Sequence, residues 1–113
     1  MTPQHQELAA GKWFAMSLAE QMGNIGSEVG RASAWRDRGN QEYTQLAFSR
    51  ALELLDLTLA DERWRGPKRR EIARAREAVC EAFSESGPPT SALSSLNGYF
   101  LHFAILARTR KGF

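Results

Sequence analysis

Apolar residues recur at steps of three and four along four stretches of this chain, and glycine or proline punctuates each gap between them. Such spacing holds side chains on one stripe of an α-helix, and nowhere gives way to the alternation of a strand. In the first stretch Leu18, Met22, Ile25, Val29 and Ala32 keep step, which predicts a helix over residues 11–38. Gly39-Asn40 ends it, after Arg36 and Arg38 have placed cations where the helix dipole favours them. A second helix is expected over residues 41–60. There Phe48, Leu52, Leu55 and Leu59 run beside Ala47, Ala51, Leu54 and Thr58, a face wide enough to make this helix the expected centre of the core. Gly66-Pro67 opens a third helix, residues 67–86, whose narrow stripe of Ile72, Ala75, Val79 and Phe83 suits the outside of a bundle. After the stop at Gly87-Pro88-Pro89, Thr90 or Ser91 can cap a fourth helix over residues 91–108, with Leu93, Leu96, Phe100, Phe103 and Ala107 in register. Asn97-Gly98 is where that helix would break, and continuity is favoured.

Four helices joined by short turns predict an all-α, up-and-down bundle. A length of 113 residues suits one core, so residues 1–113 form a single expected domain with residues 1–10 as a flexible tail. With 42% hydrophobic and 25% charged residues, the composition is that of a globular chain. The apolar stretch at residues 99–107 falls short of the roughly 18 residues that cross a bilayer, and the N-terminus has no signal-like pattern. The expectation is a cytoplasmic protein that does not enter membranes. Cys80 is the single cysteine, which leaves no internal disulfide or cysteine-cluster metal site and reads as a core or half-buried thiol.

Gly23, Gly26 and Gly30 stand inside the first helix, each costing up to about 1 kcal/mol relative to alanine. Together with Ser27 and Ala34 they make a small-residue stripe to which another backbone can come close. The predicted use is self-association into a homo-oligomer, and a kink at Gly23-Asn24 is the alternative.

Among residues that carry chemistry, Arg63, Arg65, Lys68, Arg69, Arg70, Arg74 and Arg76 surround Trp64 and are relieved by Glu62, Glu71 and Glu77. Lysine and arginine neutralise phosphates and an exposed indole stacks on a base, so this segment is the candidate nucleic-acid surface. Arginine interleaved with glutamate at helical spacing also describes a solvated helix face, and the net charge of only +2 does not by itself announce a nucleic-acid ligand. Trp13, Trp35 and Trp64 lie near helix ends or turns, where each can lid the core or join a partner surface.

Glu53 and Asp56, three apart on the second helix, have the spacing of a metal-binding pair. The step resembles the Glu-x-x-Asp of the MazG family of helical nucleotide pyrophosphohydrolases, which implies magnesium held against a triphosphate. The family's second acidic step, Glu-x-x-Glu, is missing here. Asn97 and His102 resemble in spacing the Arg-x4-His ribonuclease motif of HEPN domains, with asparagine in the place of the essential arginine, so His102 reads as structural. No complete catalytic set is present, and no cofactor is expected.

Residues 25–61, with Ile-Gly-Ser-Glu-Val-Gly-Arg-Ala from Ile25, Trp35, Gly39-Asn40 and the Ala-Phe-Ser-Arg-Ala-Leu-Glu-Leu-Leu-Asp run from Ala47, resemble an uncharacterised family of small all-helical bacterial proteins. They resemble more distantly the four-helix-bundle proteins encoded in ribosomal-RNA intervening sequences. The first supplies no catalytic residue, and the second implies at most an oligomeric, nucleic-acid-associated bundle. The expected function is therefore a non-enzymatic helical interaction module acting on an unidentified protein partner. Nucleic-acid binding is the first alternative, and magnesium-dependent nucleotide hydrolysis is the second.

Overall fold

The computed structural model describes residues 11–84 and 90–111, with side chains described over 11–84 and 95–109. The expected tail at residues 1–10, the Gly87-Pro88-Pro89 stop and the Leu93 side chain lie outside the described residues. The architecture is an all-α, up-and-down bundle of four long helices: α1 (Leu18–Asp37), α2 (Gln41–Ala60), α3 (Pro67–Ala82) and α4 (Thr90–Lys111). A single 3-10 turn, Glu62–Trp64, sits between α2 and α3.

The expected helix over residues 11–38 is two pieces. Residues 11–13 are helical, the chain turns, and α1 starts afresh behind Ser17. The Ser17 hydroxyl accepts from the Glu20 amide while the Glu20 carboxylate accepts from the Ser17 amide, a reciprocal capping box that fixes the start. At the other end Gly39, at φ +75°, lets the Gly39 and Asn40 amides turn back to the carbonyls of Arg36 and Trp35, a Schellman stop. Asn40 then caps α2 by accepting from the Tyr43 amide at 3.0 Å. α3 ends at Ala82 instead of Ser86, and α4 runs unbroken through Asn97-Gly98.

The centre of the bundle is α1, not α2. α1 packs extensively on both α2 and α4, whereas α3 touches α2 and α4 more lightly along the outside. Ile25, Val29, Leu55, Val79 and Phe100 are fully buried where these helices meet. α1 holds the middle because it offers large side chains toward the core and glycines toward α4. A Cβ on Gly26 would stand 2.4 Å from the Cβ of Phe100, and one on Gly23 would stand 3.1 Å from the Ala104 backbone. The close backbone approach predicted from the glycines is present, and the approaching helix is α4 of the same chain. α1 is continuous through Gly23-Asn24, with no break in the helix.

The two kinds of glycine separate experimentally. Gly26→Ala is expected to cost about 1–3 kcal/mol through overpacking against Phe100. Gly98→Ala, with nothing within 4 Å of the added carbon, should raise stability by up to about 1 kcal/mol. Urea denaturation followed by circular dichroism measures both, and equal effects would contradict this packing.

Candidate interaction surfaces

The basic segment divides at once into residues that build the fold and residues left on its surface. Trp64, expected as a stacking platform, is only 9% exposed, so its ring faces the core and is closed to a base. Its indole N–H donates to Gln21 Oε1 at 2.8 Å. Gln21 is 0% exposed and spends its whole amide here, because Nε2 donates to the Trp13 carbonyl at 2.8 Å and to Asp61 Oδ2 at 3.0 Å. Trp13 donates in turn to Thr58 Oγ1 at 2.9 Å. Arg63 closes the set with 2.7 Å bonds to Asp61 Oδ2 and to the Met16 carbonyl, and its guanidinium lies 4.4 Å over the Trp64 ring. These groups tie the turn before α1, the body of α1, the end of α2 and the 3-10 turn to one buried point. A fully satisfied polar cluster of this kind specifies one packing, since any slip would orphan several groups at once.

Hydrogen bonds from Arg63, opposed by burial and joined by the bond from Gln21, hold the Asp61 carboxyl down at about 2 against an ordinary 3.8. A folded value below the unfolded one gives stability that is complete above 3.8 and is lost as pH falls through about 2, in total about 2 kcal/mol. Wild-type chain should therefore lose more stability between pH 5 and pH 2 than Asp61→Asn does, as read by urea midpoints. Gln21→Leu, which strands the Trp64 N–H and the Trp13 carbonyl, is expected to cost about 3–5 kcal/mol.

What remains of the basic segment is smaller. Arg65 pairs with Glu62 at 3.1 Å, both exposed. Arg76 pairs with Asp56 at 2.8 Å and reaches toward Cys80 Sγ at 3.8 Å. Arg69 is half-buried, its Nη2 3.5 Å from the Asp61 carbonyl. Lys68 lies 5.3 Å over the Trp64 ring. Lys68, Arg70 and Arg74 are exposed and without a carboxylate ion-pair partner among the described residues; Arg70 and Arg74, four apart, share one side of α3, and Lys68 lies on another, toward Trp64.

The candidate metal pair fares differently. Glu53 and Asp56 are both exposed, Asp56 is engaged by Arg76, and no group of three or more potential ligands occurs among the described residues. His102 is exposed on α4, its ring 6.0 Å from that of Phe103. Trp35 stacks edge-on against Tyr43 at 4.7 Å under the Arg38 guanidinium.

The small-residue stripe is divided too. Gly23 and Gly26 receive α4, Ser27 donates to the Gly23 carbonyl at 3.3 Å, nothing among the described residues lies within 4 Å of a Cβ built on Gly30, and Ala34 is exposed. Between α1 and α4 the glycines leave a groove of about 280 Å³ lined by Gly23, Gly26, Gly30, Asn97, Leu101 and Ala104. Beside it Leu101 and Ile105 project from α4, 54% and 52% exposed. Sequence reasoning missed this pair because the stripe in register along this stretch runs through Phe100, Phe103 and Ala107 and leaves Leu101 and Ile105 off it. The signal was there: with Phe100 and Phe103 on one side and Leu101 and Ile105 on another, α4 is apolar on more sides than one core can cover. No helix among the described residues is long and apolar enough to cross a membrane.

A second cleft, about 600 Å³, lies between α3 and α4 over Ala75, Ala78, Ala82 and Leu96. Tyr99 closes one wall with a 3.1 Å bond to Glu71, and burial together with that carboxylate raises the phenol well above its ordinary value. Comparison with protein-family models, curated proteins and solved structures finds no match to this chain.

Proposed function

We propose that this chain is a helical interaction module whose working form is an assembly of its own copies. The reading rests on α4. One of its sides buries Phe100 against α1, and another carries Leu101 and Ile105 more than half exposed. α4 already packs on α1 and on α3, yet Leu101 and Ile105 stay more than half exposed, apolar surface that a further contact would bury. Paired exposed aliphatics beside a concave groove are characteristic of association sites, whereas apolar residues scattered singly are ordinary. Light scattering across a concentration series is expected to give masses above the 12.7 kDa of one chain, rising with concentration. A single-chain mass at every concentration would refute the reading.

A second reading is favoured by Lys68, Arg70 and Arg74, three exposed cations on the first half of α3 that have no carboxylate ion-pair partner among the described residues. They would neutralise a nucleic-acid backbone with no base stacking from Trp64. Fluorescence anisotropy with labelled single-stranded RNA and duplex DNA is expected to show binding that weakens with salt, with a slope reduced by about one per cation removed in Lys68→Gln, Arg70→Gln and Arg74→Gln. An unchanged slope would leave these side chains as a solvated face.

A further inference from the structure

We infer that the cleft between α3 and α4 binds a single-chain amphiphile with a carboxylate head, of the medium-chain fatty acid type, its tail on the alanines of α3 and its head at Arg70 and Arg74. The cleft holds about 600 Å³, within the roughly 300–1,000 Å³ of small-molecule sites, which in bundles lie between helices. Its floor is apolar. Ala75, Ala78 and Ala82 are spaced by three and four along one strip of α3, and Leu96 and Tyr99 border the cleft from α4. The two helices touch only lightly, and methyl groups on the α3 side leave the space between them unfilled by any described side chain.

The two ends of this strip differ in charge, and the difference orients the ligand. Toward the start of α3 the cleft meets a second hollow, about 460 Å³, lined by Pro67, Arg70, Glu71 and Arg74. Glu71 and Arg74 border both spaces. Arg70 and Arg74 share one side of the helix, both exposed and without an ion-pair partner among the described residues. Glu71 accepts from the Tyr99 hydroxyl at 3.1 Å, and burial together with that carboxylate keeps the phenol protonated as the donor. One carboxylate against two guanidiniums leaves this mouth positive. The first turn of α3 adds the positive end of its dipole, with no acidic residue and no capping side chain to offset it. Glu81 stands at the far end, about 10 Å along the helix from Arg74. A carboxylate head is therefore drawn to the arginines, whose planar forks match its two oxygens, and repelled from Glu81. The tail then lies across the alanines.

The test titrates the full chain with sodium decanoate by isothermal calorimetry. Binding should saturate at one decanoate per chain. Octanoate should bind about tenfold more weakly, since each buried methylene is a factor of about three to four. Decyltrimethylammonium, with the same tail and the opposite head, should also bind about tenfold more weakly or worse. Arg74→Gln should weaken decanoate about tenfold, and its thermal midpoint should stay at the wild-type value because the side chain is exposed and unpaired. Ala78→Phe fills the cleft from an exposed position of its floor and should abolish binding with the circular dichroism spectrum retained. Ser95→Phe, also exposed, makes the same test from α4 should the first variant unfold. Equal binding of decanoate and decyltrimethylammonium, or decanoate binding that persists in the folded phenylalanine variants, overturns the inference. So does a failure of decanoate to saturate the chain at millimolar concentration. Should the chain in that case bind vesicles of anionic phospholipid, the arginines serve a membrane surface and not this cleft.

Discussion

The fold hangs on the hydrogen bond from the Trp64 indole to Gln21. One buried amide with two donors and an acceptor is asked to satisfy a tryptophan, a backbone carbonyl and a carboxylate, and each partner comes from a different segment. Burying such groups is costly unless all are paired, so the cluster forms whole or not at all. Once it forms, the entry to α1, the end of α2 and the turn leading to α3 have fixed positions. The apolar residues beyond then pack against a frame that is already in register.

From that fixed end the two sides of α1 diverge in character. Toward α2 and α3 the packing is of ordinary side chains such as Val29, Leu55 and Val79. Toward α4 it is backbone against side chain, with Phe100 pressed where Gly26 has no Cβ. Removing a side chain from α1 at that point lets α4 come close, and at Gly30, where nothing lies within 4 Å of an added Cβ, a hollow with Phe100 in its wall stays open. The concave part of the surface is thus a by-product of the way the core was closed.

Helix existence was legible in the sequence because periodicity records which side faces inward, and α2 and α4 hold close to their expected bounds. The start of α1 was also written there, in Ser17-Leu-Ala-Glu20, but the apolar Trp13-Phe14 ahead of it disguised the turn. The choice of central helix was misread, because the wide stripe on α2 is less decisive than glycines that permit a second close neighbour. Trp64 could not be placed from its surroundings. Arginines on either side suggest an exposed ring, and only the fold brings Gln21, 43 positions away, to its N–H. Leu101 and Ile105 were legible as apolar residues off the Phe100–Phe103 stripe, but their outward placement needed the position of α1.

Two of the three tryptophans, Trp13 and Trp64, share the buried cluster at one end of α1, while Trp35 leans on Tyr43 near the other end. With Gln21 and Trp35 fourteen residues apart, those environments are separated by about 20 Å along one helix. The chain therefore carries its own pair of optical reporters, one quenched or shifted when the polar cluster opens and the other when the Schellman end frays. A helix that melts from one end would change its emission in two steps, and a bundle that opens as a unit would change it in one.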